Sequence, residues 1–277
     1  MPSHTAQYTI RQLSGAAEYK ACWELQKQTW GEQFSESVPP SILMVGQKIG
    51  GVSAGAFDAD GKLVGFVFGL TGSKEGKLVH WSDMLAVQPH ARDAGLGRRL
   101  KLFQRQHCLD IGAHTIYWTF DPLEAKNAHL NFNKLGANID EYVADMYVNS
   151  DSVLHRGLAM DRFVIAWRIA SDRVEKALAG TLQQDIASFE LAPIANTHPY
   201  DKDAAKESAY PRDATVRVEI PADIQRLKTE NMDRAIEWRA STRAAFLHYQ
   251  QAKYQVDAFY REPDSGRCFY VLHALSA

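Results

Sequence analysis

Leu85-Ala86-Val87-Gln88-Pro89-His90-Ala91-Arg92-Asp93-Ala94-Gly95-Leu96-Gly97-Arg98-Arg99-Leu100 is the stretch that decides the fold. An extended apolar run ends at Val87, a glycine turn follows, and the turn opens an amphipathic helix carrying Leu96, Leu100, Phe103 and Cys108. Such a turn aims consecutive backbone N–H groups at one spot, and the helix N-terminus adds partial positive charge. Glycine lets the backbone approach a ligand without a Cβ in the way. Arg92 and Arg98 stand ready to add charge at the rim. A lone Gly-x-Gly has two readings at this point: an anion site suited to a pyrophosphate, or a tight strand-to-helix turn without a ligand. A Walker A loop is excluded because Gly97 is followed by Arg98-Arg99. A Rossmann fingerprint is excluded because Leu100 holds the third-glycine place.

Working outward, Tyr8–Leu13 reads as a strand, Gly15–Gln28 as a helix, and Ser41–Ile49 as a second short helix after Pro39-Pro40. Val52–Phe57 and Lys62–Thr71 flank Asp58-Ala59-Asp60-Gly61, a hairpin signal because Asp and Gly tolerate the turn's positive φ. Leu78–Val87 is the next strand and Gly95–Ile111 the helix. His114–Phe120 is a strand again, and Glu124–Leu135 a helix stopped by Gly136. Ile139–Val148 and Arg162–Ile169 read as closing strands. The order β-α-α-β-β-β-α-β-α-β-β predicts an α/β (α+β) chain: a mixed, mainly antiparallel sheet flanked by helices.

Arg-x-x-Gly-x-Gly after a fourth strand, then helix, strand, helix and Lys134-Leu135-Gly136-Ala137, resembles the GNAT acyltransferase superfamily over roughly residues 8–170. Trp118-Thr119-Phe120-Asp121-Pro122-Leu123 and Asn127-Ala128-His129 resemble an uncharacterised branch of it. The resemblance implies that Arg92, Asp93, Ala94, Gly95, Leu96, Gly97 and Arg98 hold the pyrophosphate of acetyl-CoA or another acyl-CoA. It implies that Met84 and the strand Leu85, Ala86 and Val87 bind the pantetheine arm through their backbone. It also implies that Asn127 and Phe132 lie at the cofactor. A backbone N–H there would polarise the thioester carbonyl, and an amine would attack directly. Two departures stand out. Asp93 replaces a glycine common in the superfamily and must point away or pair with Arg92 or Arg98. Phe132 stands where many members have a tyrosine whose hydroxyl protonates the departing thiolate.

Amine acylation needs a proton acceptor. Asp83, within Trp81-Ser82-Asp83-Met84, is the candidate base, since partial burial raises a carboxylate pKa toward useful values. Its alternative is a solvent-facing or structural hydrogen-bonding residue, and His80 reads as structural. Asp121 and Asn127 are further candidates at a strand end and helix start, with helix capping as the alternative for Asp121. The 10 histidines form no metal-ligand spacing, so no metal is expected.

The C-terminus matches part of this pattern, and the match has two readings: a partial repeat, or coincidence between two amphipathic helix–strand units. Leu130–Tyr142 aligns without gaps on Leu247–Phe259, Thr115–Phe120 on Thr215–Ile220, and Phe163–Trp167 on Phe269–His273. Met232–Tyr254 is a long helical pattern, and Val256–Tyr260 and Cys268–Leu275 read as strands. No second Arg-x-x-Gly-x-Gly exists, so the repeat reading gives a partial GNAT-like repeat without its own cofactor turn. The expected organisation is an acyl-CoA domain over 1–170, a connecting region over 171–212 and the truncated half over 213–277. That half is expected to dock on the first domain or on another subunit. Trp238, Arg239 and Arg243 share a helical face suited either to an acidic substrate or to packing and ion pairs.

A net charge of -2 speaks against a nucleic-acid partner, and apolar runs are too short for a membrane span. Three separated cysteines and no signal-like N-terminus point to the cytoplasm. The expected activity is transfer of an acetyl or other acyl group to a small amine or amino-acid-like acceptor. The alternative is a non-catalytic acyl-CoA-binding or regulatory module. A homodimer is left open.

Overall fold

The computed structural model describes residues 8–92, 94–147, 157–196 and 210–275. By the density of internal contacts the chain forms two compact units. One holds the described residues to Trp118 with Arg168–Ala170; the other holds those from Thr119 to Trp167 and from Ser171 on. Compactness thus divides the chain in mid-strand, whereas motif and repeat place the boundaries at residues 170 and 212.

In the first unit the strands run β1 (Thr9–Gln12), β2 (Val52–Phe57), β3 (Leu63–Lys74), β4 (Lys77–Val87), β5 (Thr115–Phe120), side by side in that order. β1 to β4 pair antiparallel, and β4 pairs parallel with β5. The β2–β3 turn forms where Asp58 and Gly61 predicted it: Asp58 N–H donates to Lys62 O at 3.0 Å, and Gly61 sits at φ 76°. Helices α1 (Gly15–Trp30) and α2 (Pro40–Lys48) cover one sheet face, and α3 (Leu96–Asp110) covers the other. Cys22, Leu25 and Leu43 from α1 and α2 pack on Phe66, Phe68, Met84 and Ala86. Leu96 and Leu100 pack on Val52, Ala54, Val64 and Val67. Each large side chain so buried contributes roughly 1.5–3 kcal/mol.

In the second unit a helix α4 (Ala125–His129) runs into a π-helical turn, Leu130–Lys134, and then β6 (Asn138–Val143) and β7 (Arg162–Arg168) pair antiparallel. The single helix expected over Glu124–Leu135 is therefore two segments of different hydrogen-bond period, ended as expected by Gly136 at φ 66°. A Cβ there would come within 2.8 Å of Arg173 O and Ala177. β6 ends earlier than expected, at Val143, and Val148 lies outside the described residues.

Then follow α5 (Asp172–Leu178), α6 (Ile186–Leu191), β8 (Thr215–Ile220), α7 (Ile224–Glu230), α8 (Met232–Gln251), β9 (Tyr254–Arg261) and β10 (Cys268–Ala274). The last three strands form a second sheet ordered β8-β10-β9. This reproduces the order β5-β7-β6 of their sequence counterparts. The likeness reaches further back than residue 213. Ile194 bridges Arg217 in parallel, as Trp81 pairs in parallel with Tyr117, the residue aligned with Arg217. The stretch 171–212 thus holds two helices and a one-residue counterpart of β4; its residues 197–209 lie outside those described. Asn196 closes that edge: its side chain exchanges bonds of 2.9 and 2.8 Å with the backbone of Glu219, as a strand partner would.

The repeat packs within the second unit. Gln250 bonds both backbone groups of Tyr142, Gln255 donates to Ile139 O, and Tyr270 rests edge-on against Phe132. No described helix is long and apolar enough to cross a membrane.

Candidate acyl-CoA site

β4 changes character at Asp83. Phe68 pairs with Met84 and Gly69 with Ser82, so Asp83 is the extra residue of a β-bulge. A one-residue slip exchanges the two faces of a strand. Before the bulge, His80 and Ser82 meet Gln104 and Lys101 of α3; after it, Leu85 and Val87 face α3 while Met84 and Ala86 face α1. The pairing of β4 with β5 covers His80 and Trp81, below the bulge. Along Met84–Val87 the ladder partner is β3 alone among the described residues of this unit, which leaves a row of strand-edge backbone groups on the β5 side.

β4 ends in a turn whose geometry suits an anion. Gln88 N–H donates to Val64 O at 2.8 Å, Pro89–Ala91 makes one 3-10 turn, and Arg92 folds back to give its Nε–H to Val87 O at 3.2 Å. Arg92 and Gly95 are exposed, Ala94, Gly97 and Arg98 half-buried, and Leu96 buried as the anchor of α3. Asp93 lies outside the described residues. Gly95 caps α3 in the left-handed region at φ 70°, and no side chain caps the first turn. An L-residue there costs about 1–2 kcal/mol. A Cβ on Gly95 would meet nothing within 4 Å, and one on Gly97 only Leu85 at 3.7 Å. With no capping side chain and open space beside Gly95, the first turn of α3 fits a phosphate group.

Asp83 is open to solvent, and its carboxyl pKa is nevertheless raised, first by desolvation among its neighbours and then by the charge of Glu36. His80 is structural, as expected: it is buried between Thr71 Oγ1 at 2.9 Å and Gln104 Nε2 at 2.9 Å, and burial drives its pKa down to about 3. Gln104 can only donate its amide hydrogen, so Nε2 accepts and Nδ1–H faces Thr71. Gly69 is required beside this array, since a Cβ would lie 2.3 Å from His80 Nε2 and 2.5 Å from Trp81 O.

Of the remaining candidates, Asn127 is exposed on α4 and Phe132 is fully buried in the π-helical turn. Asp121 accepts the Leu123 N–H at 2.8 Å, and Arg239 Nη2 grips both its oxygens at 2.7 and 2.6 Å. Arg243 pairs with Asp145 and Asp161, and Tyr142 donates to Asp161. The arginines of the α8 face that offered an acidic-substrate reading are thus engaged in ion pairs, buried at Asp121 and Asp161 and exposed at Asp145. Sequence reasoning missed Lys101, whose Nζ donates to Ser82 Oγ at 2.7 Å and lies 4.0 Å over the Trp118 ring. Its signal was a lysine beside Leu100 on the apolar face of α3. Among the described residues no three His, Cys, Asp or Glu side chains are grouped to hold a metal ion.

No protein-family model matches the chain, and no curated protein matches it. Among solved structures it is similar to a ribosomal-protein alanine N-acetyltransferase from Escherichia coli, at 18% identity and TM-score 0.45, over 59% of this chain and 95% of that one. It is also similar to an acetyltransferase of the GNAT family from Streptococcus pneumoniae, at 14% and 0.46, over 58% and 98%. A phosphinothricin acetyltransferase from Sinorhizobium meliloti in complex with acetyl-CoA stands at 16% and 0.45, over 58% and 87%.

Proposed function

We propose that the chain is an N-acyltransferase that moves an acetyl or other acyl group from its CoA thioester to a small amine or amino-acid-like acceptor. The observation that carries this reading is the pairing of two features on one strand. β4 bulges at Asp83 with a backbone edge beyond it, and it ends in the open, glycine-capped turn of α3. The turn would hold the pyrophosphate through the N–H groups of Leu96, Gly97 and Arg98, with Arg92 at its rim. The edge Met84–Val87 would hold the pantetheine and direct an N–H at the thioester oxygen. Asp83 would take the proton lost by the amine, directly or through a water, as the C–N bond forms and the C–S bond breaks. Phe132 carries no hydroxyl, so the thiolate would leave protonated by water. The parts given to Asn127 and Phe132 rest on the sequence resemblance alone.

Phe132 supports a second reading, a non-catalytic acyl-CoA-binding module. Titration with acetyl-CoA followed by a screen of amines for thiol release separates the two. Binding with release supports the enzyme; binding with no release above the protein-free rate for any amine supports the module. Absence of binding refutes both.

A further inference from the structure

Beneath the bulge, the interface of α3 with β4 buries a polar array in an otherwise apolar layer. Lys101 is only 6% exposed, and its amine touches Ser82 Oγ and the Trp118 ring. The groups around it are Ser82 and His80 of β4, Trp118 of β5, and Gln104 and Cys108 of its own helix. None supplies a negative charge near neutral pH: burial pushes the Cys108 thiol up to about 12, while His80, also within the field of His107, is driven down to about 3. Among the described residues no carboxylate pairs with Lys101. Burying an ammonium without a counter-ion is costly, and Lys101 responds by titrating at about 7.

Lys101 also lies on the helix that starts at the glycine turn. It is five residues beyond Leu96, a rise of roughly 7.5 Å along the axis. Its hydrogen-bond partner Ser82 immediately precedes the bulge. We propose that Lys101 is a further residue of the acyl-CoA site, a buried amine that takes up a proton from solvent when the polyanionic ligand seats on the turn of its own helix. The proposal rests on the acyl-CoA reading above. A polyanion roughly 7.5 Å along the axis still favours the charged form of the amine, because the protein interior screens charge less than water does. Linkage then requires the reverse: the ligand binds more tightly below the amine's own titration than above it. A residue serving packing alone has no such signature.

The test is calorimetric titration of acetyl-CoA into the full chain, the Lys101→Met variant and the Lys101→Arg variant, at about pH 6 and about pH 9. The ligand's own phosphate titrates alike in all three. Between the two pH values the parent protein should lose about tenfold more affinity than either variant, since methionine carries no charge and arginine keeps its own. If Lys101→Met does not fold, the comparison with Lys101→Arg decides. Binding whose pH dependence is the same in parent and variants overturns the role of Lys101 and leaves the acyl-CoA reading standing. Absence of binding to the parent protein overturns both.

Discussion

The ion pair between Arg239 and Asp121 offers a quantitative test of how the C-terminal repeat is built into the second unit. Arg239 Nη2 reaches both oxygens of Asp121 at 2.7 and 2.6 Å, and their side chains are 4% and 11% exposed. Removing one member of a buried pair costs about 3–5 kcal/mol, because the other is left charged and dry. Here each has a longer fallback: Asp121 lies 3.8 Å from Arg162, and Arg239 3.9 Å from Asp161. The lower end of the range, about 3 kcal/mol, is therefore expected for Arg239→Met, which keeps most of the stem volume. Asp121→Asn keeps the acceptor for Leu123 N–H and should cost a similar amount. The double variant removes both charges, so it should cost about 2 kcal/mol less than the sum of the singles. Urea unfolding read through Trp167 and Trp238 measures all three, with constant m-values as the check. Additivity within about 0.5 kcal/mol would refute the claim that this pair is an energetic link.

Further predictions concern the site. Arg92→Ala should weaken acetyl-CoA binding moderately and flatten its salt dependence, as a rim charge would; an unchanged salt slope removes Arg92 from the site. Once an acceptor is known, Asp83→Asn should lower turnover with little change in acetyl-CoA affinity. Because the Asp83 pKa is raised, the parent rate should climb through a limb above the ordinary carboxylate range, and the variant should lack it; retention of that limb makes Asp83 structural. Lys101→Met should stabilise the chain. The folded pKa of about 7 lies below the ordinary lysine value of 10.5, so the parent's deficit is full below pH 7 and disappears as pH rises toward 10.5. The shift corresponds to at most about 5 kcal/mol, and a variant no more stable than the parent at pH 6 would count against a buried amine.

What the sequence made legible was local chemistry. The Asp58–Gly61 turn and the glycine cap at Gly95 formed where residue type demanded positive φ. The three strands of the C-terminal region formed where the apolar pattern put them, at Thr215–Ile220, Tyr254–Arg261 and Cys268–Ala274. The bulge at Asp83 was not legible, because β4 carries apolar residues on both faces and a one-residue slip leaves no mark in alternation. The π-helical turn at Leu130–Lys134 escaped because side-chain periodicity barely distinguishes neighbouring helical periods. α7, with the polar sequence Ile-Gln-Arg-Leu-Lys-Thr-Glu, is held by the Asp223 cap and by packing on α8 rather than by an apolar stripe. Ile194 joined the second sheet through a single bridge, which no pattern reports. Arg239 was legible only as a helix-face residue and Lys101 not at all, because their burial depends on partners distant in sequence.

The proposed function stands or falls with a pyrophosphate held by the turn that Gly95 caps. Calorimetric titration of acetyl-CoA into the parent chain and into Gly95→Val tests it most directly, with circular dichroism confirming that both are folded. A valine at φ 70° costs backbone strain of about 1–2 kcal/mol and places its side chain in the open space assigned to the phosphates. Saturable one-to-one binding to the parent and no measurable binding to a folded Gly95→Val are expected. Equal affinity in the two proteins would contradict the assignment.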